Sequence, residues 1–363
     1  MLKCSNCKKP IQDHYIDALD GVWHPNCFRC AACNGAISGD GFIEKNGKPL
    51  HQECYHELYS PRCAGCGKPI INGYIRALDK LWHEEHFVCA KCGKPIGKRF
   101  FERSGKAYCK DDYLDLFGEK CALCHKSITG QSLVDSWGNK YCKRHSGDPQ
   151  CFSCGRMIGQ NLTDGGVRYK DGRIVCGICR KTAIDSDDTA RKVFIQVQQT
   201  LTQILDMDMR IDADRLHLMD QVELDRASPK KISGIHPPGL TLSELTTINR
   251  AESKRSIKGI FALTGLPEEH LSAVLAHELG HAWLFMSRFP KLPIKVEEGI
   301  CMLLEAFWLQ NLDTPEAAYR LNMLEKNDDP VYGRGYHQAK RALSKRSFSR
   351  LLEYVKKNQR FPR

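Results

Sequence analysis

Eighteen of the 19 cysteines in this 363-residue chain lie before residue 180, mostly as pairs with two residues between them. That clustering limits the fold more than any other feature. Segments of about 60 residues bury little apolar surface and usually need a staple. In a reducing compartment paired thiols favour metal over disulfides. Two residues between ligands let one turn aim both side chains at a single ion, and zinc takes four such ligands tetrahedrally. Four sets lie in the first 120 residues: Cys4, Cys7, His24, Cys27; then Cys30, Cys33, His51, Cys54; then Cys63, Cys66, His83, His86; then Cys89, Cys92, Cys109, Asp112. A third stretch offers Cys121, Cys124, Cys142, His145 and Cys151, Cys154, Cys176, Cys179, with sequential and interleaved pairing both open. The 24 ligands suffice for six closed sites, so these zincs are read as structural. His14, His56 and His125 fall outside the pattern and are read as surface or packing residues.

The first two modules are copies. Cys4 to Cys63 spans 59 residues and Cys63 to Cys121 spans 58. Ala18-Leu19-Asp20 matches Ala77-Leu78-Asp79, Trp23-His24 matches Trp82-His83, and Phe28 matches Phe87. A fixed period with shared fillers marks a repeated structural unit. The ligand order resembles the LIM domain, a double zinc finger that binds proteins. The resemblance implies a small apolar core shared by two zinc lobes, with Trp23, Phe28, Trp82 and Phe87 in it. The third stretch reads as a LIM-like module with altered loops.

Asp185-Ser186-Asp187-Asp188 suits a linker or a helix N-cap. A helix is expected next, with Val193, Val197, Leu201 and Ile204 on one face. Residues 208–224 alternate in part like a strand, and Ile257–Leu263 reads as another, suited to pairing with extended substrate. His277-Glu278-Leu279-Gly280-His281 then lies in a long apolar helical run that starts at Pro267. Residues four apart share a helix face, so His277 and His281 form a zinc-binding pair, and Glu278 is placed as general base. Val296-Glu297-Glu298-Gly299-Ile300 opens a second apolar helix, where a carboxylate is expected as third ligand. Glu-Gly-Ile resembles the third-ligand segment of thermolysin-like zinc peptidases, which favours Glu298, with Glu297 as the fallback. Cys301 reads as a buried thiol, and residues 334–357 as a basic amphipathic helix.

LIM modules followed by H-E-x-x-H-A-W-L and V-E-E-G-I-C resemble the ubiquitin-activated LIM-domain peptidases that limit organ growth in plants, and their bacterial relatives. The resemblance implies an intracellular protein-cleaving enzyme with LIM modules for regulation or recruitment, and a link to ubiquitin as activator, substrate or binder. Its Y-G-x-G-aromatic pattern brings forward Tyr332, Tyr336 and His337 in a glycine-bearing loop as donors to the oxyanion.

The expected organisation is multidomain: LIM modules at 1–60 and 61–118, a LIM-like module at 119–182, and an α+β zincin (gluzincin-like) peptidase domain at 186–363. About seven zincs follow, six structural and one catalytic. Protein substrates and partners are expected, and an inactive adaptor is the alternative. No long apolar run suggests a membrane span, and Met-Leu-Lys-Cys at the start does not resemble a signal peptide, so a cytoplasmic location is expected. The formal charge of +11 hints at nucleic acid, but it counts thiols as neutral. With thiolates and zinc assigned it falls to about +7, and the first 180 residues fall from +8 to +2, which disfavours that partner.

Overall fold

A computed structural model describes residues 2–38, 41–228, 237–248 and 251–362. The chain forms two compact units, Met1–Glu119 and Lys120–Arg363.

The first unit holds the two repeats. Each consists of short antiparallel hairpins, such as Ile16–Ala18 with Gly21–Trp23 and Ile75–Ala77 with Lys80–Trp82, and ends in a helix, Gln52–Tyr59 or Lys110–Phe117. Phe28 is buried with Trp23 edge-on at 5.6 Å and Phe42 at 5.1 Å; Phe87 takes the same place with Trp82 and Phe100. These cores are small, which is why metal has to supply the rest of the folding energy.

The second unit joins the third Cys-rich stretch to a mixed domain. Ala183–Ile184 (β1) pairs with Leu266–Pro267 (β5). Between them come Asp187–Leu205 (α1), Leu216–Met219 (β2), Gln221–Ala227 (α2), Gly239–Ile248 (β3) and Ala251–Leu263 (β4). Then follow Glu268–Met286 (α3), Ile294–Asn311 (α4), Pro315–Lys326 (α5), Tyr332–Leu343 (α6) and Phe348–Asn358 (α7). Ser186 caps α1 through the Thr189 N–H, as the Asp/Ser cluster suggests, and Val193, Val197 and Leu201 are buried on one face. The strand expected across 208–224 shrinks to Leu216–Met219, because Asp220 and Glu223 form a capping box that starts α2.

Strand β4 lies in the middle of a three-stranded sheet, parallel to β2 and antiparallel to β3. Over Ile260–Leu263 both of its edges are therefore occupied, and that part cannot accept substrate as an added strand. Strand β3 holds the outer position, and its Gly239–Thr241 segment faces the cavity described below.

The residues after Tyr332 are helical rather than a loop. Their glycines serve close approach: a Cβ on Gly335 would lie 2.5 Å from the Lys295 carbonyl, and one on Gly299 would lie 2.5 Å from the Gly335 carbonyl. Helices α4 and α6 thus cross backbone against backbone. Gly335→Ala is expected to cost roughly 1–3 kcal/mol, the usual penalty for overpacking, read as a lower denaturant midpoint with an unchanged slope. The basic C-terminal run divides into α6 and α7, with Ser347 capping the second. Among the described residues no helix is long and apolar enough to cross a membrane.

Candidate functional site

In the Cys-rich segments the ligand atoms gather in fours. Cys4, Cys7, His24 and Cys27 come together, as do Cys30, Cys33, His51 and Cys54, and Cys63, Cys66, His83 and His86, with the ligand atoms of each group within 4.8 Å of one another. Asp112 lies 3.1 Å from both Cys89 and Cys109. In the third stretch the grouping is sequential: Cys121, Cys124, Cys142 and His145, then Cys151, Cys154, Cys176 and Cys179. Interleaving fails because each C-x2-C turn faces the hairpin that follows it, Ser132–Val134 with Lys140–Cys142 for the first group and Gly166–Arg168 with Ile174–Cys176 for the second.

The groups suit a cation. Burial raises the Cys4 pKa, but the N–H groups of His24, Cys7 and Asn6 outweigh it and bring the thiol down to about 6. Cys30, Cys63 and Cys121 show the same balance and the same value. His145 is fixed through Nδ1 by Asp148 at 2.6 Å, while its buried Nε2 has no partner among the described residues, as a nitrogen reserved for a metal requires.

A cavity of about 470 Å³ is lined by α3, α4 and β3. Pro267 precedes α3, with Glu268 and Glu269 in its first turn, and the helix carries His277, Glu278 and His281 into the cavity wall. Helix α4 crosses α3 and brings Glu298 opposite. Glu298 Oε2 lies 3.1 Å from His277 Nε2 and 3.5 Å from His281 Nε2. The other imidazole nitrogens are also engaged: His281 Nδ1 with Glu297 at 2.9 Å, and His277 Nδ1 with Glu305 at 3.6 Å. Glu297, the fallback ligand, thus sits behind a histidine and orients it. Glu305 does the same for the other, and the sequence reading missed it. It lies seven residues after Glu298, on the same face of α4, a spacing that was visible in the sequence.

Burial disfavours a proton on either histidine, yet Glu298 and Glu305 lift the His277 pKa well above the usual imidazole range, and the Cys301 sulfur, followed by Glu297 and Glu298, does the same for His281. Burial raises the Glu298 pKa, but the two imidazoles pull it far below the ordinary carboxylate range. The site therefore calls for positive charge between two imidazoles and a carboxylate, and that donor set is the one zinc prefers. Glu297→Gln is expected to weaken metal binding there roughly 10–100-fold, measured by chelator competition.

Glu278 is buried, which raises its pKa. Thr241 Oγ1 donates to its Oε2 at 2.7 Å, and a Cβ on Gly239 would lie 2.6 Å from Oε1. The general base is thus held by the first residues of β3, which the sequence did not single out.

Tyr332 lines the cavity, and burial together with the Glu298 charge pushes its hydroxyl up to about 12, so it remains a donor. Tyr336 does not line it: it is buried against α5 and donates to Glu325 at 2.8 Å. His337 is the next residue along α6 and is not in the lining either. The oxyanion role expected of these two is thus not matched by their places in α6. Cys301 is buried beside His281, consistent with a packed thiol.

Comparison with known families agrees with this division. Residues 4–59 and 63–117 match the LIM domain, and residues 206–320 match the DA1-like family, described as Protein DA1. The second match contains His277, Glu278, His281, Glu297, Glu298 and Glu305. With two LIM domains ahead of a DA1-like domain, the chain belongs to the LIM-domain proteins of the DA1 type.

Proposed function

We propose that this chain is a zinc-dependent endopeptidase of gluzincin type. Its catalytic metal site is His277, His281 and Glu298, and its LIM modules recruit or regulate protein partners, ubiquitin among the candidates. The observation that carries the reading is the convergence of both Nε2 atoms on Glu298 Oε2, in a cavity that also holds a buried, oriented Glu278. The third Cys-rich stretch is read as a LIM-like module, which gives six structural zincs and one catalytic zinc per chain.

When bound, zinc supplies a Lewis acid for the scissile carbonyl and lowers the pKa of a water toward neutrality. The chain's own groups do the rest. Glu278 takes the proton from the attacking water and returns it to the leaving amine; such a general base contributes about 10²–10⁴-fold. Thr241 holds the carboxylate in place, and burial raises its proton affinity toward the working range. Tyr332 is the protein donor placed to stabilise negative charge on the carbonyl oxygen. Removing such a donor costs roughly 10²–10³-fold in other hydrolases. Strand β3 is the outer strand beside the site among the described residues and is the place for an extended peptide to lie.

The test is incubation of the full chain with an unfolded protein. New amino termini, suppressed by a chelator and restored by zinc, support the reading. Absence of cleavage at full zinc occupancy favours the inactive adaptor instead.

A further inference from the structure

A second cavity of about 520 Å³ adjoins the catalytic one. The two share Pro238, His270, Glu305 and Asn327 on their walls, so they are compartments of one cleft. The outer compartment is bounded by Phe152 and Ser153 of the third Cys-rich stretch and by Arg320 of α5.

Arg320 is short of partners. Its Nη2 donates to the Ser153 carbonyl at 3.0 Å and to the Ser153 hydroxyl at 2.9 Å. Its Nε has no partner among the described residues. Burial lowers its pKa below the ordinary guanidinium value, with Glu305 among the groups that partly offset this. A desolvated guanidinium with no paired carboxylate is unfavourable, and its fork geometry matches a carboxylate in particular. The neighbouring charges, Glu305 and the Cys154 and Cys179 sulfurs, act on it through space, and none of them bonds to it among the described residues. Glu305 faces His277 Nδ1, and Lys326 and Asp328 on the wall are opposite in sign. His270 is held uncharged by burial and by Arg320, with Ser153 Oγ 2.9 Å from its Nδ1.

The spacing suits a substrate subsite. His270 precedes His277 by two turns on the same face of α3, about 10 Å along the helix. That is roughly three residues of extended peptide. We propose that Arg320, held in place by Ser153, forms a subsite for a carboxylate of the substrate peptide, either an acidic side chain or a free C-terminus. The proposal rests on the peptidase reading for its meaning, so its test is a binding measurement that needs no turnover.

The full chain carrying Glu278→Gln, loaded with zinc, is titrated with three sets of fluorescent peptides of about ten residues. One carries Glu at successive positions with an amidated C-terminus, one carries Gln at those positions with the amide, and one carries Gln with a free C-terminus. At least one carboxylate set should bind about 10-fold more tightly than the amidated Gln set. Tight binding of the Glu set names a side chain as the source, and tight binding of the free-acid set names the C-terminus. Arg320→Gln should bring the preference below about two-fold while leaving the amidated Gln peptides unaffected. If Arg320→Gln does not fold, Ser153→Ala takes its place and should reduce the preference by releasing one bond to Nη2. Equal binding of all three sets overturns the proposal without any change at Arg320, as does a preference that survives Arg320→Gln. Absence of cleavage by the unmodified chain would count against the peptidase reading and leave this binding result standing.

Discussion

Glu278→Gln is expected to keep its full complement of zinc and to lose roughly 10²–10⁴-fold in the rate of protein cleavage, the usual contribution of a general base. The metal should stay because the three groups that converge there are His277, His281 and Glu298, and the amide of glutamine fills the same space. Thr241 Oγ1 can still bond to that amide, so the pocket should keep its shape. The loss should fall on kcat, because Glu278 acts on the proton of the attacking water and binding of the peptide is shared along the cleft. Paired metal analysis and steady-state kinetics check this. Cleavage unchanged at equal zinc content would remove Glu278 from the chemistry.

The second large effect concerns where the chain can be cut. Removing residues 1–119 takes away one compact unit and should leave the other folded, with three zincs and an intact cavity. Removing residues 1–182 should be far more damaging, because the third Cys-rich stretch is packed into the second unit. Trp137 stacks on Tyr319 at 4.9 Å, and Arg156 lies over the Trp137 ring. Ser153 bonds to His270 and Arg320, the Arg173 guanidinium donates to the Thr264 carbonyl, and the Gln221 N–H donates to Asp171. Cutting at 182 uncovers these groups together, with a buried guanidinium and a buried imidazole among them. A loss of about 3–5 kcal/mol is expected, the size found when a buried charge loses its partner, and at 2–4 °C per kcal/mol the melting temperature should fall by about 6–20 °C. Equal melting temperatures for residues 120–363 and 183–363 would show that the stretch is only tethered. The comparison also bears on regulation. Any change in activity on removal of residues 1–119 belongs to the LIM domains, whereas a change seen only at 182 reports damage to the catalytic body.

Much of this was legible in the sequence, and the legible parts share a cause. Zinc ligands are short-range patterns: C-x2-C, and two histidines four apart on a helix, fix geometry locally. The start of α1 at Ser186 and of α3 after Pro267 was visible for the same reason, since caps are local. Features set by distant partners were not visible. Gly333 and Gly335 read as loop glycines because nothing nearby shows that the Asn327 backbone lies against the first and the Lys295 carbonyl of α4 against the second. Tyr336 looked free to reach the site until Glu325, eleven residues earlier in the chain, was found to hold its hydroxyl. The part of β3 was hidden as well, because Gly239 and Thr241 meet Glu278 across a sheet whose order is not in the sequence. The same holds for Ser153, which joins two segments far apart in the chain.

The central claim is that His277, His281 and Glu298 hold a zinc that cleaves proteins. It is tested most directly by returning zinc to the full chain after a weak chelator has stripped its most labile metal. An open site with three protein ligands should release zinc before the closed Cys-rich sites do. The account predicts that cleavage of an unfolded protein is absent in the stripped chain and returns in proportion to one added equivalent of zinc, with no such return in His281→Ala. Full zinc occupancy without cleavage, or cleavage that persists after that equivalent has been removed, would contradict it.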